Sequence, residues 1–316
     1  MRRLDPFLAS LIAAIVLATL LPCRGAVAAN LRTLTTLCIA LMFFLQGARL
    51  EPRAVLESIR DWRLQISVLI CTFILFPLLG LGLSRLLPHL LIGDMWQGVL
   101  FLCCLPSTVQ SSIALTSIAR GNVPAAICAA TLSNIAGIVI TPVLVMLVLQ
   151  HGGVWSARAI LDVATQLLLP FAIGQALHSR IGSWVKRHKL PLSLTDRGSI
   201  VLVVYTAFSG AVVEGIWHRV SLRDLAITGG LDLLLLVFVL IFTHTLGRLF
   251  RFTAPSTISL TFCGSKKSLA SGVPMANVLF PTATVGTVVL PLMIYHQLQL
   301  FICTLLARHY AQRRDF

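Results

Sequence analysis

The chain has 316 residues, of which 57% are hydrophobic and 11% charged, with a mean hydropathy of +0.91 and a formal net charge of +14. Soluble domains carry about 25% charged residues, so this composition excludes an ordinary soluble protein and predicts an all-α polytopic membrane protein. The apolar runs are continuous, which excludes the alternating pattern of an outer-membrane barrel. The basic residues fall in short loops between those runs, an orientation signal of an inner-membrane protein and not a nucleic-acid surface.

Ten apolar segments can be cut, at about 6–22, 29–47, 64–87, 96–119, 123–149, 160–179, 199–217, 225–247, 256–280 and 283–307. The first follows Arg2 and Arg3 but lacks a convincing small-residue cleavage site, so it reads as an uncleaved first helix in a single integral domain spanning 1–316. The cysteines carry no metal-ligand spacing. Cys38, Cys71, Cys103, Cys104, Cys128, Cys263 and Cys303 lie in apolar segments and Cys23 at an edge, where cysteine usually serves as a small packing residue.

With the N-terminus inside, one face receives 17 basic residues: Arg2, Arg3, Arg49, Arg53, Arg60, Arg63, Arg120, Arg180, Lys186, Arg187, Lys189, Arg197, Arg248, Arg251, Arg308, Arg313 and Arg314. The other receives 6, namely Arg24, Arg32, Arg85, Arg158, Arg219 and Arg223. That asymmetry predicts ten spans with both termini cytoplasmic. Five spans followed by five also satisfy the condition for an inverted repeat, approximately 1–150 and 151–316, in which the fourth and ninth spans correspond.

Those two segments are unusual in the same way. The fourth contains Leu-Pro-Ser-Thr-Val-Gln-Ser-Ser at 105–112 and the ninth Cys-Gly-Ser-Lys-Lys-Ser at 263–268. Pro106 removes a backbone donor and frees a carbonyl one turn earlier. Freed carbonyls with Ser107, Thr108, Gln110, Ser111 and Ser112 would suit a small hard cation, although serine and threonine also serve close helix packing. In the fifth segment Thr131 and Asn134, flanking Ser133, share a helix face, and Asn134 needs a polar partner in lipid. It could face the broken segments or make an ordinary interhelical hydrogen bond.

The stretch Thr261–Asn277 is the most costly to place. Lys266 and Lys267 stand between apolar runs, with Ser265 and Ser268 beside them, Asn277 further on, and Gly264, Gly272 and Pro274 as expected helix breaks. Intramembrane lysines usually face a wet cavity or a partner, and broken helices at membrane depth line cavities. A lysine there could attract an anion or carry a proton; alternatively both could snorkel to the headgroups. The acids in or near the spans are Asp162, Glu214 and Asp232, and Asp232 could pair with either lysine. Ser265 with Lys266, or Ser268 with Lys267, could form a hydrolytic dyad, but no H-E-x-x-H, G-x-S-x-G or Walker motif accompanies them, so no enzyme is expected. A membrane-embedded sensor is a further alternative.

Over nearly its whole length the chain resembles the bile acid:sodium symporter family, and within it the bacterial YfeH-like branch. The resemblance is carried by the break at Pro106, Ala-Arg-Gly-Asn at 119–122, Thr-Pro at 141–142 and the segment 263–277. It implies two crossing broken helices, the fourth and ninth, in a core domain beside a panel domain, and alternating access for a small organic anion. It also implies sodium bound by the fourth and fifth spans and by a Glu-x-x-x-Gln-Asn pattern in the ninth. Aligned on Gly264, the glutamate falls on Phe262, the two amides on Lys266 and Lys267, and a third-span glutamine on Thr72. Ser112 and Thr131 remain counterparts of sodium ligands. A fixed ammonium can supply the charge of a bound cation. The expectation is therefore a transporter coupled to Na+ like its family, or one that is sodium-independent or proton-coupled, with no other cofactor; substrate and oligomeric state leave no mark in the sequence.

Overall fold

The computed structural model describes residues 6–49, 61–149, 164–215 and 220–312, and all regular structure among them is helical. Arg2, Arg3, Arg53, Arg60, Arg158, Arg219, Arg313, Arg314 and Asp162 lie outside the described residues, as do the side chains of Lys186 and Lys189. Six helices are long and apolar enough to cross a membrane, which makes this a polytopic membrane protein. They are α2 (Gly25–Arg49), α3 (Trp62–Leu86), α6 (Val123–Val148), α9 (Lys189–Val213), α10 (Leu222–Leu249) and α13 (Thr282–Ala311).

The remaining predicted segments take other forms. The first is α1 (Pro6–Leu20), 15 residues long. The fourth is a pair, α4 (Gly93–Cys104) and α5 (Val109–Ile118), bent by 61°. The described part of the sixth begins with a π-helical turn at Ala164–Leu168 and continues as α7 (Leu169–Ala176). The ninth divides into α11 (Ala254–Gly264) and α12 (Leu269–Leu279). One expectation needs correction. Gly272 and Pro274 lie inside α12 and do not break it. The stretch after the sixth segment is also a helix, α8 (His178–Arg187), in which Ile181 and Val185 form one face at helical spacing. It has too few apolar residues to register as a span.

The chain divides into two compact units, each drawing on both halves of the sequence. One contains the described parts of 1–51, 153–221 and 273–289. Here α2 and α7 approach backbone to backbone: a Cβ on Gly47 would collide with the carbonyl of Phe171, and one on Gly174 with that of Phe44. Small residues permit such contact in lipid, where no hydrophobic force drives helices together. Arg49 pairs with Asp196, and Tyr205 donates to Leu21 O at 2.8 Å. Helix α9 begins ten residues before the apolar segment at 199–217, and Arg49 of α2 pairs with Asp196 in its polar first turns.

The other unit contains the described parts of 52–152, 222–272 and 290–316. Leu64, Val68, Ala125, Ala126, Ala129, Ala130, Leu260 and Cys263 form its buried core, an alanine face that lets α3, α6 and α11 pack closely. Helix α3 runs continuously through a wider π-helical turn at Cys71–Leu75, just ahead of Pro77. A proline in a regular helix clashes with the carbonyl four residues back, and a π turn relieves that clash.

Gly47→Ala and Gly174→Ala are each expected to cost about 1–3 kcal/mol through forced separation of α2 and α7. Gly82→Ala, where nothing lies within 4 Å of the added carbon, should be neutral or slightly stabilising. Thermal unfolding of the purified protein in detergent checks both.

Candidate functional site

Two breaks lie against each other in the second unit. Between α4 and α5 the chain runs extended at Leu105 and Thr108; between α11 and α12 it passes through Ser265–Ser268. Each break uses groups that the other leaves unpaired. Ser107 Oγ donates to Cys263 O at 2.6 Å and Ser112 Oγ to Phe262 O at 3.2 Å, both at the end of α11. Thr108 Oγ1 donates to Lys267 O at 2.8 Å, and Ser268 N to Pro106 O at 2.9 Å. The last carbonyls of a helix have no intrahelical donor, so buried breaks need such partners.

Helix α6 lines the same place. Gly137 faces Pro106, and a Cβ there would come within 2.6 Å of the proline ring. Ser107 N donates to Ser133 Oγ at 3.0 Å, and Thr141 Oγ1 to Cys104 O at 2.9 Å. Asn134 Oδ1 accepts from Ser271 Oγ at 2.7 Å, the partner its burial requires. Thr131 is half-buried one turn before it.

Lys267 occupies the centre. Its side chain is fully buried, and Nζ donates to Thr72 O at 2.9 Å, Cys103 O at 2.8 Å and Leu105 O at 2.8 Å. An ammonium has three N–H donors, and all three are used. The Phe76 ring centroid lies 4.1 Å from Nζ, a cation–π contact.

Prolines account for two of those carbonyls. In the π-helical turn Phe76 N reaches Cys71 O, so the next donor in register would serve Thr72 O; that residue is Pro77, which has none. At the end of α4, Leu105 N turns back to Leu102 O, so the following residue would serve Cys103 O; that residue is Pro106. Lys267 supplies both missing hydrogen bonds.

The Lys267 peptide is held as well. Gln299 Oε1 accepts from Lys267 N and Gln299 Nε2 donates to Lys267 O, both at 2.9 Å. Tyr295 OH donates to Ser265 O at 2.7 Å, and Ser265 Oγ to Thr261 O at 2.6 Å. Gln299 and Tyr295 were missed in the sequence reading. The available signal was an amide and a phenol four residues apart within an apolar helix, where both need polar partners.

Lys266 is different. It is also fully buried, yet Nζ has no hydrogen-bond partner among the described residues; its electrostatic neighbours are the thiols of Cys263 and Cys303. Asp232, fully buried in α10, likewise has neither carboxyl oxygen paired, and no ion pair joins it to either lysine among the described residues. Glu214 is exposed at the end of α9.

Other expected residues are placed as follows. Gln110 is exposed in the first turn of α5, and the buried Ser111 Oγ has no partner among the described residues. Ser268 Oγ lies 3.2 Å from Ser271 Oγ and caps Ser271 N. Gly264 ends α11, with Thr243 Cγ2 3.1 Å from where its Cβ would stand. Gly272 serves packing: a Cβ there would meet Leu105 and Leu292 at 2.6 Å. Asn277 is half-buried, its Nδ2 without a partner among the described residues. No hydrogen bond joins a serine of 265–268 to a lysine amine among the described residues, so no hydrolytic dyad is assembled.

Comparison with known proteins places this geometry in a family. A match to the SBF-like CPA transporter family spans residues 5–312. The chain belongs to that family. It is 49% identical over 313 residues to the Pseudomonas aeruginosa protein PA2026, covering 98% of this chain and 94% of that one. It is 45% identical over 315 residues to YfeH of Escherichia coli strain K12, a candidate symporter by name, covering 99% and 95%. To mouse sodium/bile acid cotransporter 7 it is 27% identical over 318 residues, covering 96% and 92%. The resemblance to the bile acid:sodium symporter family, in its YfeH-like branch, is therefore the correct one, and the chain is a transporter and not an enzyme.

The adjacent lysines should respond oppositely to substitution. Lys267→Met strands three buried carbonyls, each costing about 1–3 kcal/mol, and should lower the melting temperature sharply. Lys266→Met replaces a buried amine with no hydrogen-bond partner among the described residues by an apolar chain of similar length and should leave the melting temperature unchanged or raised.

Proposed function

We propose that this chain carries a small organic anion across the cell (inner) membrane by alternating access without sodium, the Lys267 ammonium standing where a coupling cation would sit. The observation that carries the reading is the three-carbonyl cage around Nζ, at 2.8–2.9 Å. Backbone carbonyls freed at helix breaks are typical ligands for sodium in transporters, and here a tethered cation takes them. Thr72, at the position where the family pattern has a glutamine, turns its hydroxyl to Val68 O at 2.7 Å and its carbonyl to Lys267.

The anion is supported by two half-helix N-termini, α5 at Val109 and α12 at Leu269, beside the two breaks. Helix N-termini offer free N–H groups and a positive dipole end to anions. The proposed architecture is ten spans in two inverted five-helix repeats with cytoplasmic termini, the fourth and ninth broken. Sodium symport is the second reading: the mouse relative has sodium in its name, and Ser112 and Thr131 remain hydroxyls near the breaks. Proton coupling through an unpaired buried group, Lys266 or Asp232, is a variant of the first.

Melting of the purified protein with Na+, K+ or choline at constant ionic strength tests this. A cation at 100 times its dissociation constant stabilises the folded state by about 2.7 kcal/mol. The wild type is expected to melt at the same temperature in all three salts, and Lys267→Asn to gain a sodium-selective rise. Selective stabilisation of the wild type by Na+ would overturn the tethered-cation reading in favour of symport.

A further inference from the structure

A second polar site lies at one end of the second unit. A cleft of about 280 Å³ is lined by Asp61, Trp62, Arg63, Leu64, Arg251, Phe252, Thr253 and Ser256. It brings the start of α3 against the turn between α10 and α11. Arg63 and Arg251 are both exposed, and neither has an ion pair among the described residues; Asp61 on the rim is joined to neither. The cleft lining therefore keeps an excess positive charge.

Neither cation is paired with a carboxylate among the described residues. The Arg63 guanidinium lies 5.9 Å from the Phe252 ring centroid. Arg251 sits at φ 54°, a left-handed conformation that a non-glycine residue seldom adopts. Next to it Thr253 caps α11 through Ser256 N at 3.4 Å, and the turn is fastened by Asn122 N to Pro255 O at 3.0 Å. Two guanidinium groups and the hydroxyls of Thr253 and Ser256 thus converge on one small, open volume, a donor set that fits a phosphate group.

The level of the cleft identifies the source of that phosphate. Trp62 is the first residue of a 25-residue apolar span, and Arg251 follows the last residue of a 28-residue one by two positions. Trp62 is 59% exposed, Leu249 73% and Phe250 40%, so apolar and aromatic side chains flank the arginines on the outer surface. Aromatic residues at span ends mark the headgroup level, and basic pockets between helices at that level bind anionic headgroups. We infer that this cleft binds the phosphate of an anionic phospholipid, with Arg63 and Arg251 as its ligands and Trp62 and Phe250 against the upper acyl chain.

The test uses the purified full chain in detergent, with dioctanoyl phosphatidylglycerol, dioctanoyl phosphatidylcholine or inorganic phosphate at equal concentration. Phosphatidylglycerol alone is expected to raise the melting temperature. Arg63→Gln with Arg251→Gln should weaken that response by about tenfold in concentration. Arg85→Gln, at the opposite end of α3, should leave it intact. Arg63→Lys with Arg251→Lys keeps the charge and should retain part of it. Native mass spectrometry of the same proteins should show phosphatidylglycerol retained by the wild type and lost from the glutamine variant. Equal stabilisation by both lipids, or an unchanged response in the glutamine variant, overturns the site. Full stabilisation by phosphate alone would make it a site for soluble phosphate esters and overturn the lipid assignment.

Discussion

The site depends on one ammonium group filling hydrogen bonds that two prolines leave open. Pro77 cannot serve Thr72 O from its place after the π-helical turn, and Pro106 cannot serve Cys103 O from the end of α4. In water those carbonyls would be hydrated at little cost; buried in a membrane protein, each needs a donor. Lys267 provides both of these bonds, and a third to Leu105 O, from one atom. Pro106 lies at a helix break and Pro77 within a continuous helix, and in both places the lysine serves a carbonyl that the proline cannot.

The surrounding contacts follow from that geometry. Gln299 pairs with both sides of the Lys267 peptide, Tyr295 closes Ser265 O, and Thr108 adds a second donor to Lys267 O. The lysine backbone is thus fixed before its side chain is considered. Small residues do complementary work: Gly137 admits the Pro106 ring and Gly272 admits Leu105 and Leu292. Lys266 and Asp232 stand outside this network, with Lys266 Nζ and both Asp232 carboxyl oxygens lacking a hydrogen-bond partner among the described residues.

Membership of a transporter family gives these features a common purpose. Half-helices with free ends concentrate backbone charge at the breaks. In a sodium-coupled member the negative ends attract an ion from solution. Here a covalently attached amine meets the carbonyls of Thr72, Cys103 and Leu105.

The sequence by itself determined that this is a membrane protein and where its two polar breaks fall. Both follow from composition and from neighbouring residues: apolar run length sets the spans, and Pro106 or the Gly-Ser-Lys-Lys-Ser stretch interrupts them whatever lies nearby. It also overread two residues, because a glycine or proline has the same local preference whether it ends a helix or, like Gly272 and Pro274, lies within one. The π-helical turn was invisible, since its cause is a one-residue change in hydrogen-bond register ahead of Pro77. Only the tertiary structure decided between the two lysines. Their local sequence is nearly equivalent, but successive residues point in different directions, and Lys267 meets carbonyls more than 160 residues away while Lys266 Nζ finds no hydrogen-bond partner among the described residues. Such long-range pairing is set by how helices pack, which no local pattern encodes.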